Sequence, residues 1–192
     1  MRYQTNPELE SSSEACDRHS TLVDLLRRRA LRQPDQLAYT FLLDGETSEL
    51  HLAYRELERR ALAIAAALRL AGAKGGRALL LYPPGLDFIE GFFGCLYAGV
   101  VAVPAYPPDP AKLQRTLPRL QAVIADAQAT LVLTTSPILA TAKLIFAEAP
   151  DLRALHWLAT DTIVSSADED WRAEHTTADD LAFLQYTSGS TG

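Results

Sequence analysis

The chain has 192 residues, an apolar fraction of 48%, a charged fraction of 22% and a net charge of −6. This is the make-up of a globular protein that can bury a core without disulfide staples. The acidic balance argues against a nucleic-acid or anionic-membrane surface, and no run approaches the ~20 apolar residues of a membrane span.

Residues 1–19 are polar and Ser-rich and read as a loose leader. They lack the apolar stretch of a signal peptide, so the expected address is the cytoplasm. Ser20 is placed to cap a helix whose Leu22, Leu25, Leu26 and Ala30 fall at helical spacing, with Pro34 beyond its end. "LAYTFLL" and "ELHLAY" flank "DGETS", a hairpin signal. In "RELERRALAIAAALRLAG", Leu57, Ala61, Ile64, Ala65 and Leu68 form one apolar stripe, with Gly72 near the stop.

A regular alternation follows. "RALLLY", "VVAVPAY", "TLVLTT", "LRALHWLAT" and "LAFLQYT" read as strands. Between the first four lie the helical patterns "GLDFIEGFFGCLYAG", "AKLQRTLPRLQAVIADA" (with Pro118 as a kink or the first turn after a break) and "SPILATAKLIFAEA". An acidic loop, 161–180, precedes the last strand. Strands rich in Val and Leu alternating with helices predict an α/β fold, a mostly parallel β-sheet with helices on both faces. Domain organisation is then a leader followed by one α/β unit, 20–192, that ends unfinished at its C-terminal side.

Few residues carry obvious chemistry. Cys16 and Cys95 have no CxxC partner, and Cys95 sits in an apolar helix pattern as a core residue. His19, His51, His156 and His175 show no metal or triad spacing, so no catalytic or metal-binding residue is assigned. Phe88, Phe92, Phe93 and Tyr97 fall at helical spacing and read as core rather than as an acyl tunnel. Trp157 and Trp171 carry no functional argument.

The exception is the end of the chain, "TSGSTG", directly after a strand. Ligands bind outside the carboxyl ends of strands in a parallel sheet. Gly189 and Gly192 permit positive φ and close backbone approach, and successive N–H groups in such a turn converge on an anion. The hydroxyls of Thr187, Ser188, Ser190 and Thr191 add donors for phosphate oxygens. Taken alone, the same composition also describes a flexible linker. It is not a Walker A loop, since no Gly-Lys-Ser/Thr is present, and it is not a nucleophile elbow, since Ser188 stands where that motif needs Gly.

"LAFLQYTSGSTG" as a whole resembles the phosphate-binding motif of the adenylate-forming superfamily. "YRELERRALAIAAALRLAG" followed by "GGRALLLYPPGLDFIEGFFGCLYAGVVAVPAYPP" is similar to the opening half of that family's large N-terminal domain. "VAVPAYPPDPAKLQRTLPRLQAVIADAQATLVLTT" and "FLQYTSGSTG" most resemble the fatty acyl-AMP ligases, and the resemblance runs from about Thr21 to Gly192. It implies a reaction in which a fatty acid and ATP, with Mg²⁺, give acyl-adenylate and pyrophosphate. The acyl group then passes to the phosphopantetheine thiol of an acyl carrier protein or polyketide synthase.

Thr187, Ser188, Gly189, Ser190, Thr191 and Gly192 would steady the ATP phosphates in that scheme. The family's Mg²⁺-binding Glu, ribose-binding Asp and catalytic Lys would all lie past Gly192, so this chain by itself is expected to be inactive. An acyl-CoA synthetase, an amino-acid adenylation domain, or a non-catalytic nucleotide-binding or interaction module stay open as alternatives.

Overall fold

The computed structural model describes residues 21–147, 149–164 and 176–187. The leader, Ser20, the middle of the acidic loop with His175 and Trp171, and Ser188 to Gly192 lie outside the described residues.

Helix α1 spans Leu22–Arg32. Its cap is Thr21 rather than Ser20, because Asp24 stands three residues on and completes a reciprocal capping box. The Asp24 N–H donates to Thr21 Oγ1 and the Thr21 N–H donates to the Asp24 carboxylate, both at 3.1 Å. Its buried stripe is Val23, Leu26 and Ala30, so the face is rotated from the expected one, and Leu22 and Leu25 are exposed.

Strands β1 (Leu37–Leu42) and β2 (Glu49–Ala53) form the expected antiparallel hairpin. Its turn is built on Asp44, whose carboxylate accepts N–H groups of Glu46, Thr47 and Ser48, with Gly45 at φ +79°. These bonds hold the Asp44 carboxyl well below the usual range.

Helix α2 (Tyr54–Leu70) buries the whole stripe its sequence foretold. After it come β3 (Arg77–Leu81), α3 (Leu86–Ala98), β4 (Val101–Ala105), α4 (Leu113–Ala127), β5 (Leu131–Thr134), α5 (Ser136–Ile145), α6 (Pro150–Ala154) and β6 (His156–Ala159). These four strands make one parallel sheet in the order β4-β3-β5-β6. Strand pleating sends alternate residues to opposite faces. Ala78, Leu80, Ala102, Leu131 and Leu133 pack with α1, α2 and α3, while Leu79, Leu81, Val103 and Val132 pack with α4, α5 and α6. Fully burying one such aliphatic side chain is worth about 1.5–3 kcal/mol.

Close packing of α2 on α3 depends on glycine. A Cβ on Gly94 would lie 2.5 Å from Ile64 Cγ2, and one on Gly91 would lie 2.5 Å from the Tyr82 hydroxyl.

Three expectations are corrected. Residues 152–155 are not strand: Pro150 in the first turn starts the short α6, and β6 begins only at His156. Pro118 lies inside α4, past its first turn, so it is not the first turn after a break. The last segment, 181–187, is not a full strand. It makes a single parallel bridge, Phe183 to Ala102, in which Ala102 N donates to Ala182 O at 3.1 Å and Leu184 N donates to Ala102 O at 2.8 Å.

Candidate functional site

The strand order makes β3 the centre of the sheet, with its following helix on one face and the helix after β5 on the other. The crevice this opens between β3 and β5 is the usual ligand site in such folds. Here it is filled. Thr134 Oγ1 donates to Leu81 O at 2.6 Å, the Tyr82 hydroxyl lies 2.9 Å from Thr160 Oγ1, and Thr160 Oγ1 donates to Thr134 O at 3.2 Å. Burial drives the Tyr82 phenol far above its ordinary pKa, so it stays protonated.

Beside this chain of hydroxyls, Arg60 on α2 pairs with Glu90 on α3 at 3.0 Å and donates to the carbonyls of Ile163 and Thr160. Burial raises the Glu90 carboxyl above its usual range despite the guanidinium.

The open space lies one strand over, at the carboxyl ends of β3 and β4. The β3–α3 connection, Tyr82-Pro83-Pro84-Gly85, and the β4–α4 connection, Ala105-Tyr106-Pro107, bound a cleft of about 770 Å³. Prolines suit these walls because their φ is fixed and they offer no N–H to be left unpaired. Asp109 ends the second connection and accepts the Ala111 N–H at 2.9 Å, starting the turn into α4. From α4 come Arg115, Thr116, Arg119, Leu120 and Val123; from α3 comes Phe88; from the last segment come Gln185 and Tyr186.

Tyr186 donates its hydroxyl to Asp126 on α4, and that bond raises the Tyr186 pKa. The residues immediately before the Thr/Ser/Gly loop therefore line the cleft. Of the six predicted loop residues, Thr187 is described and exposed, while Ser188, Gly189, Ser190, Thr191 and Gly192 lie outside the described residues.

The remaining single-residue readings divide. Cys95 is fully buried and burial pushes its thiol up, the behaviour of a core residue. Tyr97 is core, with its hydroxyl donating to Glu58 at 3.3 Å. Phe88, Phe92 and Phe93 are only partly buried, in a run of ring contacts reaching Phe183, and Phe88 faces the cleft. Trp157 has a structural use, donating Nε1–H to Leu152 O at 2.8 Å.

Sequence reading passed over Arg115 and Arg119, although their spacing of four in "RTLPR" was available as a one-face signal. It also passed over Arg60–Glu90, whose partners are 30 residues apart in sequence. As for a divalent metal, Asp109 is the one carboxylate among the described residues lining the cleft. The described residues hold no group of three possible metal ligands.

The AMP-binding enzyme family profile matches residues 26–192. The chain belongs to the AMP-binding enzyme family. Among curated relatives it is 47% identical over 90% of its length to the medium-chain-fatty-acid acyl-carrier-protein ligase JamA of Moorena producens, covering 29% of that protein. It is 34% identical over 89% of its length to the long-chain-fatty-acid–AMP ligase FadD23 of Mycobacterium tuberculosis, again covering 29%. Among solved structures it matches the fatty acyl-adenylate ligase from L. pneumophila in complex with acyl adenylate and pyrophosphate, with TM-score 0.75, 39% identity, and 89% of this chain against 28% of that one. The chain thus spans less than a third of these relatives' length. The α/β architecture read from the sequence is that of these adenylate-forming enzymes.

Proposed function

We propose that this chain supplies the phosphate-gripping part of a fatty acyl-adenylating ligase. In that reaction a fatty acid carboxylate oxygen attacks the α-phosphorus of ATP. The new bond gives acyl-adenylate, and the α–β phosphoanhydride bond breaks to release pyrophosphate. The phosphopantetheine thiol of an acyl carrier protein, free or within a polyketide synthase, then attacks the acyl carbonyl, losing its proton, and the acyl–phosphate bond breaks to release AMP. ATP and a Mg²⁺ held elsewhere in the enzyme belong to this reading, as does a cytoplasmic location. Among the described residues no helix is long and apolar enough to cross a membrane.

The observation that carries the proposal is the cleft at the carboxyl ends of β3 and β4, one wall of which is Gln185–Tyr186, the root of Thr187 to Gly192. Thr187, Ser188, Gly189, Ser190, Thr191 and Gly192 would orient the β and γ phosphates with hydroxyls and backbone N–H groups. They are neither acid nor base.

A segment exchange tests this. This chain replaces the matching segment of JamA, and fatty-acid-dependent exchange of labelled pyrophosphate into ATP is measured. The exchanged enzyme turns over, and Gly189→Val in it loses about 10²-fold or more, because a β-branched residue resists positive φ. Full activity in the Gly189→Val enzyme would rule out the phosphate-loop assignment. Acyl transfer to coenzyme A in preference to holo-carrier protein would overturn the acceptor. The 192-residue chain alone gives no exchange above a no-protein control.

A further inference from the structure

We propose that Arg115 and Arg119 form a cationic subsite for two linked phosphoryl groups on the α4 wall of the cleft. The inference rests on the adenylation reading for its ligand, but on different residues from the loop.

Both arginines are exposed, both line the cleft, and both lie on its wall together with Gln185 and Tyr186. Among the described residues neither has a hydrogen-bond or ion-pair partner, whereas Arg60, Arg77 and Arg59 are all engaged. Two other polar groups of the cleft are already used. Thr116 Oγ1 donates to Lys112 O at 3.2 Å, and Asp109 accepts the Ala111 N–H and lies 4.0 Å from the Lys112 ammonium.

Local charge favours an anion here. Helix α4 has no acid in its first turn and no side-chain cap. Arg115 stands in that first turn, where the helix dipole disfavours a cation. A bound anion would relieve this arrangement.

Spacing selects the anion. Residues four apart on a helix have Cβ atoms about 5–6 Å apart on one face. Two planar guanidiniums at that separation can each grip one phosphoryl group of a diphosphate. A single carboxylate would occupy only one of them. The loop supplies neutral donors, so these two charges provide the compensation that the loop itself lacks.

The test uses the 192-residue chain and inorganic pyrophosphate as probe. Arginine modification by phenylglyoxal, read residue by residue by mass spectrometry, is compared with and without millimolar pyrophosphate. Arg115 and Arg119 are shielded, while the exposed Arg32 and Arg153 are not. In titrations, Arg115→Gln with Arg119→Gln weakens pyrophosphate binding about tenfold or more, and the double Lys variant retains most of it. ATP shields as pyrophosphate does, while orthophosphate and decanoate shield less.

Equal modification rates with and without pyrophosphate, or stronger shielding by decanoate, would overturn the inference. Shielding is read on the unaltered chain, so the result stands even if a variant misfolds. If Gly189→Val loses pyrophosphate affinity while the double Gln variant keeps it, the loop assignment survives and this inference falls. The opposite pattern keeps the arginine subsite and removes the loop from it.

Discussion

The region where α2 and α3 meet the sheet and the cleft at the ends of β3 and β4 solve opposite problems. In the first, polar groups are enclosed and every one named above is answered: Arg60 by Glu90 and two carbonyls, Tyr82 by the Thr160 hydroxyl, Thr160 by the Thr134 carbonyl and Thr134 by the Leu81 carbonyl. Gly94 lets α2 and α3 close, and Gly91 lets α3 lie against Tyr82, with no room for a methyl group at either position. In the cleft, prolines stiffen the rims while Arg115 and Arg119 stand exposed. The contrast teaches where this fold spends its specificity. The enclosed groups named here are satisfied by neighbouring residues, and the cleft leaves two arginines exposed.

Breaking the interior should therefore cost stability. Gly94→Val drives a side chain into Ile64 and overpacks the α2–α3 contact. We expect a loss of about 3 kcal/mol, seen as a lowered urea midpoint.

Arg60→Met leaves the Glu90 carboxylate, which is 12% exposed, without its cation. A loss of about 2 kcal/mol follows, below the figure for fully buried pairs because some solvent reaches this one. For a domain of this size the melting temperature should fall by roughly 4–8 °C. An unchanged midpoint would mean the pair contributes nothing.

A pH profile sharpens the comparison, because the enclosed and exposed carboxylates shift oppositely. Burial raises Glu90 and Glu58, so the folded chain holds protons that the unfolded chain has released. Stability from these two groups falls as pH climbs above the ordinary Glu value of about 4.3. Asp44 and Glu56 are lowered by hydrogen bonds from backbone N–H groups and Arg59 respectively. Their stabilisation is lost as pH drops below the ordinary carboxylate values of about 4. Melting temperatures across pH 3–8 should thus rise and then decline, and Glu58→Gln with Glu90→Gln should flatten the decline. A decline that persists unchanged in that variant would assign it to other groups.

The smallest effect belongs to the cleft. Tyr186→Phe removes one exposed hydrogen bond to Asp126, and global stability should change by less than about 1 kcal/mol. The consequence is local. Hydrogen exchange at the Leu184 amide, which bonds to Ala102, should quicken while β3 and β5 amides stay protected.

How much of this was readable in advance differs between the two regions. The α2 stripe of Leu57, Ala61, Ile64, Ala65 and Leu68 is buried as its spacing required, because one helix face must meet the sheet. The β1–β2 hairpin and the four parallel strands were legible for the same reason. Boundaries that hinge on one bond were not. Thr21 displaced Ser20 as the cap because of Asp24, and Pro150 turned 152–154 into helix, with Leu155 as its extended C-cap. The segment 181–187 carries the period of a strand, yet it forms a single bridge, Phe183 to Ala102. Of the site, composition and position led to the proposal for Thr187 to Gly192, whereas the Tyr186–Asp126 tether could not be read.

Local pattern by itself determined most element types and the two-faced parallel sheet. These depend on periodicity and on backbone freedom, which are properties of neighbours along the chain. The tertiary structure alone decided that the β3–β5 crevice is closed by Tyr82, Thr134 and Thr160, and that the open cleft lies beside β4. It also decided that Arg60 meets Glu90 and that the root of the loop shares a wall with Arg115 and Arg119. Each of these joins residues from separate elements, and no period within one element encodes which residue of another will stand opposite it.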